Sequence, residues 1–592
     1  MSKWMLRQTS ADPTELAKAA GISPFLAHIL AVRGYRDAKE MQKFLHTGQQ
    51  QLADCSLFAD FPLALDHLID AIDEGKRIVI FGDYDVDGVM STCILHKALS
   101  AVDANVSYYI PQRESEGYGM NNAAIARLAE DGAEVLLACD NGISAIEQVE
   151  YAKQLGLSVL IIDHHEPMLV DNGAGEVVQQ LPAADAVCDP KRSDCRYPFK
   201  LYCAGGLCYR FAMELFSLLG FSDSELENEL LAMATIATVC DLVELTDDNR
   251  WLVQRGLPLI GKVQSPGLLA ILENRELLGK NITAHHIGYQ IGPCINAFGR
   301  LEDASMAVEL LLTDDPRRAY SLSEEMARLN NQRKSLTEQG AILAFSQILE
   351  ENLDQDDVLV VYEPLIHESV AGIIAGRIKE RYYKPSIVIA GEKDVVHGSC
   401  RSIEGYNIFA GLSACADLLE AFGGHPLAAG LTVDKHKIAD VRRRLNADYR
   451  QQAPDIEQLI RIDKQLPLAT VNLALAEQLQ QFEPFGKGNP PINFAEKNVC
   501  ISKIVQMGSS KKAMRWSCRG ATLSKTVEAV CFESRDKLDK LLSSRYGEGI
   551  FDLLLQNAAE VYLDLIYNVN INEFNGRRSA QVQIVDYRLS AQ

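Results

Sequence analysis

The chain has 592 residues, 47% of them apolar and 23% charged, an ordinary globular balance that excludes disorder and low complexity for most of its length. At roughly 100–200 residues per domain, that length implies about three to five domains. Lys and Arg number 58 against 80 Asp and Glu, a net charge of −22. A generally basic nucleic-acid coat is therefore excluded, and any grip on a polyanion must be local.

Residues 1–75 read as helices, as in ELAKAAGISPFLAHILAVRG and FPLALDHLIDAIDEG. The N-terminal stretch has no apolar core of a secretory signal, and no run of about 18 uncharged apolar residues occurs, so no transmembrane helix is expected. The 14 cysteines are scattered without a C-x-x-C pair, which suits reduced thiols in a cytoplasmic protein. From Arg77 short apolar runs (RIVIF, NVSYYI, EVLLA, SVLII) alternate with amphipathic stretches, the rhythm of βαβ units and a parallel sheet. Residues 200–300 read as mostly helical. Residues 316–350, with Leu322, Met326 and Leu329 at helical spacing, predict one long polar-faced helix connecting two lobes. A second α/β segment runs from Val358 to about Val441. After the turn cluster PFGKGNPP come short β-like runs that predict a small antiparallel barrel. The fold expected is α/β: a parallel-sheet domain joined by a long helix to a second α/β lobe, followed by a small OB-like β-barrel. The expected division is 1–75, 76–315, 316–352, 353–450 and 451–592.

The chemistry lies in where the acids fall. RIVIF runs straight into Asp83, Asp85 and Asp87, EVLLAC into Asp140, and SVLII into Asp163-His164-His165. Sites in open α/β sheets form at the C-terminal ends of strands. Neighbouring strands lie about 4.8 Å apart, so three such tips can pool carboxylates and imidazoles in one small volume. That much negative charge requires cations, and mostly carboxylate ligands suit Mn²⁺ or Mg²⁺ better than structural zinc. A pair of ions about 3.5–4 Å apart is the usual apparatus for phosphodiester hydrolysis. A calcium loop at Asp83–Gly88 fails because its twelfth position is Ile94 instead of Glu. Asp140 alone would read as a turn or cap, and it is the joint occurrence of three strand-end signals that points to metal. His285-His286 reads as structural, and Asp241, at the end of an apolar helix, reads from pattern alone as a cap.

These residues match the DHH phosphoesterase superfamily in GDYDVDG, CDNGIS and IIDHH. Within it the chain resembles the RecJ family of single-strand-specific DNA exonucleases, through ESEGYGM, ATVCDLVEL, IGPCINAFGRLEDAS, HGSCRSIEGYN, FGGHPLAAGL and PFGKGNPP. The resemblance covers nearly the whole chain. It implies a metal-dependent exodeoxyribonuclease that degrades single-stranded DNA 5′→3′ to 5′-mononucleotides, in DNA repair and recombination. By it, Asp83, Asp85, Asp87, Asp140, His164 and Asp241 would hold two divalent ions, Mn²⁺ or Mg²⁺. His165 would act beside the scissile phosphate, with Asp140 and His164 also in the catalytic set. Arg113, Asn296, Arg300, Ser399, Arg401 and His425 would line the substrate path and hold the 5′-phosphate. Cys400 and Ser369 stand where the family often has glycine, and Cys400 is expected to crowd a phosphate.

The barrel carries a local charge reversal through Lys503, Lys511, Lys512, Arg515, Arg519, Lys525, Arg535, Lys537, Lys540 and Arg545, with Trp516 and Phe532 interleaved. That composition reads as a single-strand grip with stacking aromatics, or equally as a barrel core under solvated lysines. Partners implied by the resemblance are single-stranded DNA with a 5′ end, a single-strand binding protein and a helicase, with no membrane. The alternative reading is a DHH phosphodiesterase for short oligonucleotides or cyclic dinucleotides, which shares the metal motifs.

Overall fold

The computed structural model describes all residues except Met1, Glu114, Ser115, Tyr118, Asn172, Ala174, 453–455, 509–512, 521–525, Asn575 and Gln592. The chain forms two compact units. One comprises Met1–Gln51, Glu244–Gln254 and Gln458–Gln592; the other comprises Leu52–Val243 and Arg255–Glu457.

The first unit opens with strand β1 (Lys3–Leu6), inside the stretch expected to be helical. It is short and mostly exposed, so its sequence lacks the alternation that marks a half-buried strand. It pairs in parallel with Leu459–Ile462, more than 450 residues away. The helices Pro13–Ala20 and Pro24–Val32 follow, each with proline in its first turn and capped by the side chains of Asp12 and Ser23.

In the second unit, β2 (Ile78–Phe81), β3 (Val106–Tyr109), β4 (Val135–Cys139), β5 (Ser158–Ile162) and β8 (Ala186–Cys188) form a parallel sheet in the order β3-β2-β4-β5-β8. The central strands β2 and β4 are buried throughout, which is why they read as continuous apolar runs. A hairpin of β6 (Met168–Asp171) and β7 (Val177–Gln180) intervenes. It and three-residue β8 left no legible signal. The predicted connecting helix is Pro316–Glu350, with Leu322, Met326 and Leu329 buried. It packs on both Gly292–Leu301 and Glu368–Tyr382, with Asn330 against Cys294 and Gly340 against Ile374. The second sheet has the order β12-β13-β11-β10-β9, built from β9 (Leu359–Tyr362), β10 (Ser386–Ala390), β11 (Val395–Arg401), β12 (Leu419–His425) and β13 (Ala428–Asp434). Only β9 and β10 pair in parallel in it.

The first unit resumes with β14 (Leu459–Ile462), β15 (Lys464–Gln465), β16 (Phe494–Met507), β17 (Ala513–Arg519), β18 (Val527–Cys531), β19 (Val561–Phe574) and β20 (Arg577–Leu589). The last five close a barrel through β16–β19 pairing. It is not wholly antiparallel as expected, because β18 pairs in parallel with β20. The helix Arg535–Tyr546 lies in the connection between β18 and β19, ahead of β20. The cysteines form no disulfide, and all but Cys240 are buried. Among the described residues no single helix is long and apolar enough to cross a membrane.

Candidate metal centre

The strands β2, β4 and β5 that end in candidate ligands are consecutive neighbours in the sheet. Three ligand groups meet at their tips, one of them Asp140, Asp163, His164 and His165. Asp83, Asp85 and Asp140 each offer an oxygen within 4.8 Å of the others, and Asp87, His164 and Asp241 likewise each offer a ligand atom. His164 joins the groups: its Nε2 lies 3.2 Å from Asp140 Oδ1 and 3.7 Å from Asp87 Oδ2, and its Nδ1 lies 3.8 Å from Asp241 Oδ2.

Local structure explains each placement. Asp85 caps the helix Val86–Ala101, accepting from the N–H groups of Asp87 and Gly88. Gly88 is required there, since a Cβ would stand 2.6 Å from the carbonyl oxygen of Asp83. Asp140 turns off β4 at φ 61, a left-handed conformation that Asp tolerates better than most residues. The Asn141 amide then donates to the carbonyls of Phe81, Gly82 and Cys139, tying the β4 tip to the β2 tip. The carboxylate of Asp87 accepts from the backbone N–H groups of Ala204 and Gly205, each at 2.8 Å, where the helix Ala204–Leu219 begins. Those two amides were not legible in the sequence, beyond the small residues Ala204-Gly205-Gly206. Asp163 accepts from the N–H groups of Ile143, His164 and His165, and its Oδ1 lies 2.7 Å from His165 Nδ1. Its oxygens are thus engaged in orienting His165.

The electrostatics are those of a cation site. Burial and the neighbouring Asp85 push Asp83 well above the usual carboxylate range. The same two causes raise Asp87 to about 6. Burial and the charge of Asp87 raise Asp241 to about 8, and burial with Asp87, Asp85 and Asp83 lifts Asp140 strongly. Burial and the His165 charge lower His164 to about 3, so its imidazole is neutral and free to ligate. His165 is different: burial opposes its charge, but Asp163 outweighs that and holds it up at about 9. Burial holds the nearby thiols of Cys203 and Cys240 above the usual thiol range. Among the described residues Asp83 Oδ1 is buried without a hydrogen-bond partner. A set of carboxylates, one neutral imidazole and an orphaned buried oxygen fits hard or borderline divalent ions.

A second cluster is cationic. Arg300 is partly buried and lowered to about 10 by burial and by the charges of Arg113, Arg333 and Arg401 around it. Its Nη1 donates to the carbonyl of Ser369 at 2.8 Å. Arg113 lies over the Tyr84 ring, 5.2 Å from its centroid. Strand alternation puts Ser399 and Arg401 on one face of β11. Gly372 lets the helix Glu368–Tyr382 pass them, since a Cβ there would lie 3.0 Å from Arg401 Nη2 and 3.4 Å from Ser399 Oγ. Alternation also corrects the expectation for Cys400. Its side chain lies on the opposite face, buried in the apolar core with Val396 and Leu431, and does not crowd a phosphate. Burial and the His165 charge both lower His425. Asn296 sits one helical turn before Arg300. Arg333 belongs to the cationic cluster but gave no sequence signal on its polar-faced helix.

In the barrel, Trp516 is fully buried beside Tyr587, so the expectation that it stacks on bases is corrected, while Phe532 is 65% exposed. Arg515, Arg519, Arg535 and Lys537 pair with Glu528, Glu560, Asp552 and Glu533, which offsets much of the local basic charge. Lys511, Lys512 and Lys525 lie outside the described residues.

A parallel sheet whose adjacent strand tips pool carboxylates and a neutral histidine, in one unit with a cluster of arginines, defines a metal-dependent phosphoesterase of the DHH class. Family models agree: the DHH family N-terminal domain matches residues 77–238, the DHHA1 domain 355–451 and the RecJ OB domain 462–586. The chain is 32% identical to the single-stranded-DNA-specific exonuclease RecJ of Dickeya dadantii, over 98% of each protein. It is 31% identical to that of Bacillus subtilis, over 99% of this chain and 71% of the relative. The crystal structure of RecJ in complex with Mn²⁺ from Thermus thermophilus matches with a TM-score of 0.79 at 25% identity, covering 100% of this chain and 80% of that one. A manganese-bound exonuclease RecJ matches at 30% identity and a TM-score of 0.57, over 67% of this chain and 95% of that one. The chain belongs to the RecJ exonuclease family.

Proposed function

We propose that this protein degrades single-stranded DNA from its 5′ end, releasing 5′-mononucleotides by two-ion phosphodiester hydrolysis in DNA repair and recombination. The observation that carries the reading is the set of ligand groups joined by His164, on a chain of this family. Asp83, Asp85 and Asp140 would hold one ion, and Asp87, His164 and Asp241 the other. When bound, Mn²⁺ or Mg²⁺ supplies Lewis-acid activation of water and neutralises charge on the nonbridging oxygens. His165, kept cationic by Asp163, hydrogen-bonds the scissile phosphate and stands ready to give a proton toward the leaving 3′-oxygen. Arg113, Arg300 and Arg401, with Ser399, hold the terminal 5′-phosphate, for which guanidinium forks are suited. Asn296 and His425 line the path of the strand.

The work divides among an N-terminal helical segment (1–75), the phosphoesterase domain (76–315), the connecting helix (316–352), the substrate-binding lobe (353–450) and the OB-like domain (451–592), which grips the strand. A single-strand binding protein and a helicase that exposes the strand, in the cytoplasm, are the partners this reading implies. The test is digestion of a 5′-phosphorylated single strand with Mn²⁺ beside a blunt duplex. Mononucleotides released from the 5′ end of the single strand alone are expected. Digestion of the blunt duplex or from the 3′ end would overturn the reading, and preference for a dinucleotide would favour a short-oligonucleotide phosphodiesterase.

A further inference from the structure

The helix Gly292–Leu301 lies along the metal centre. Near its C-terminal end, a Cβ on Gly299 would collide with the carbonyl of Tyr84, between Asp83 and Asp85. At its N-terminal end, a Cβ on Gly292 would collide with the Sγ of Cys240, next to Asp241. One stripe of this helix and of the turns before it is at least partly open to solvent: His285, Tyr289, Pro293, Asn296 and Arg300. Beside the stripe Ile287, Ile291, Cys294, Ile295 and Phe298 are buried, while His286, Gly288 and Gln290 are partly open. The spacing of four, four, three and four keeps the stripe on one face, through a π-helical turn at Ile287–Ile291.

At the far end of that stripe from Arg300, two rings are stacked in the open. His285 and Tyr289 have centroids 4.6 Å apart and planes 24° apart, and Tyr289 is 74% exposed. His286 plays a different part, closing a capping box with Thr283.

We propose that the His285–Tyr289 pair is a stacking platform for a base on the 3′ side of the scissile phosphate. This rests on the function proposed above. With the terminal phosphate at the Arg300 end and the scissile phosphate at the carboxylates, the rest of the strand continues past Asp241 along this stripe. The aromatic face accepts any base, which suits an enzyme without sequence preference. The bases of a duplex are stacked on each other and cannot take the site, so the platform adds selectivity for a single strand.

The test pairs Tyr289→Ala with an abasic scan of the first six nucleotides of a 5′-phosphorylated strand, read as KM with Mn²⁺. Tyr289→Ala is expected to raise KM on the order of tenfold, with Tyr289→Trp restoring it. One abasic position should cost the unmodified protein a similar factor and cost Tyr289→Ala nothing. Tyr320→Ala, another exposed aromatic, serves as the control and leaves KM unchanged. An unchanged KM in Tyr289→Ala, or an abasic penalty that persists in it, overturns the platform. Failure of the unmodified protein to digest any single strand sinks instead the function on which the platform rests.

Discussion

Asp140 meets two demands at once, a left-handed backbone at φ 61 and a buried carboxyl among like charges. Asn is the substitution that separates them, because it tolerates the same backbone and removes only the charge. Asp140→Asn is expected to fold with a raised melting temperature in chelator at neutral pH, since a repelled buried charge is gone, and to lose at least roughly a hundredfold in activity and in Mn²⁺ affinity, which calorimetric titration would read. Gly205 makes a different point. A Cβ there would lie 2.5 Å from Ala237 Cβ and 3.1 Å from Asp87 Oδ1. Gly205→Ala should therefore destabilise the fold by about 1–3 kcal/mol in denaturant titration and weaken metal binding as well. At this scale the sequence was legible where a ligand followed a strand directly, as at Asp83, Asp140 and His164. Asp241 was not legible from pattern, because it ends a helix and nothing local separates a ligand from a cap. The amides of Ala204 and Gly205 were hidden for another reason: backbone donors carry no side-chain signature, and they reach Asp87 across more than a hundred residues.

Among the elements, the helix Gly292–Leu301 matters most, since it packs against the loop that carries Asp83 and Asp85. Gly299→Ala would drive a methyl into the Tyr84 carbonyl and push that helix off the loop. Activity on a single strand should fall by more than about tenfold, and a normal rate would show that the close approach is dispensable. The barrel gives a stability prediction. Trp516 is wholly buried, so Trp516→Ala should cost about 3–5 kcal/mol, measured by denaturant unfolding. The central parallel strands could be read as continuous apolar runs and Pro316–Glu350 by its helical period. β1, β6 and β7 could not, because they are largely exposed and carry no apolar run longer than three residues, and β8 could not, because it has only three residues. The parallel pairing of β18 with β20 was equally invisible, because strand direction depends on the connections and not on composition. Cys400 shows the reverse case: the sequence flagged a residue type, and strand alternation turned it into the core.

For the whole molecule, the raised carboxyls make stability depend on pH in the absence of metal. A group whose native pKa lies above its unfolded value binds its proton more tightly in the fold, so stability falls as pH rises through the native value. Asp241 at about 8 and His165 at about 9 both act this way. His164, lowered to about 3, opposes them only below its unfolded value of about 6.5. In chelator the melting temperature should therefore drop between pH 6.5 and 8.5, and Mn²⁺ should abolish that drop. A flat profile in chelator would contradict the electrostatic picture. The most direct test of the whole account is an anomalous-scattering map of crystals soaked in Mn²⁺. Two peaks about 3.5–4 Å apart are predicted, one among Asp83, Asp85 and Asp140 and the other among Asp87, His164 and Asp241. Manganese bound elsewhere, or absent from both groups, would contradict it.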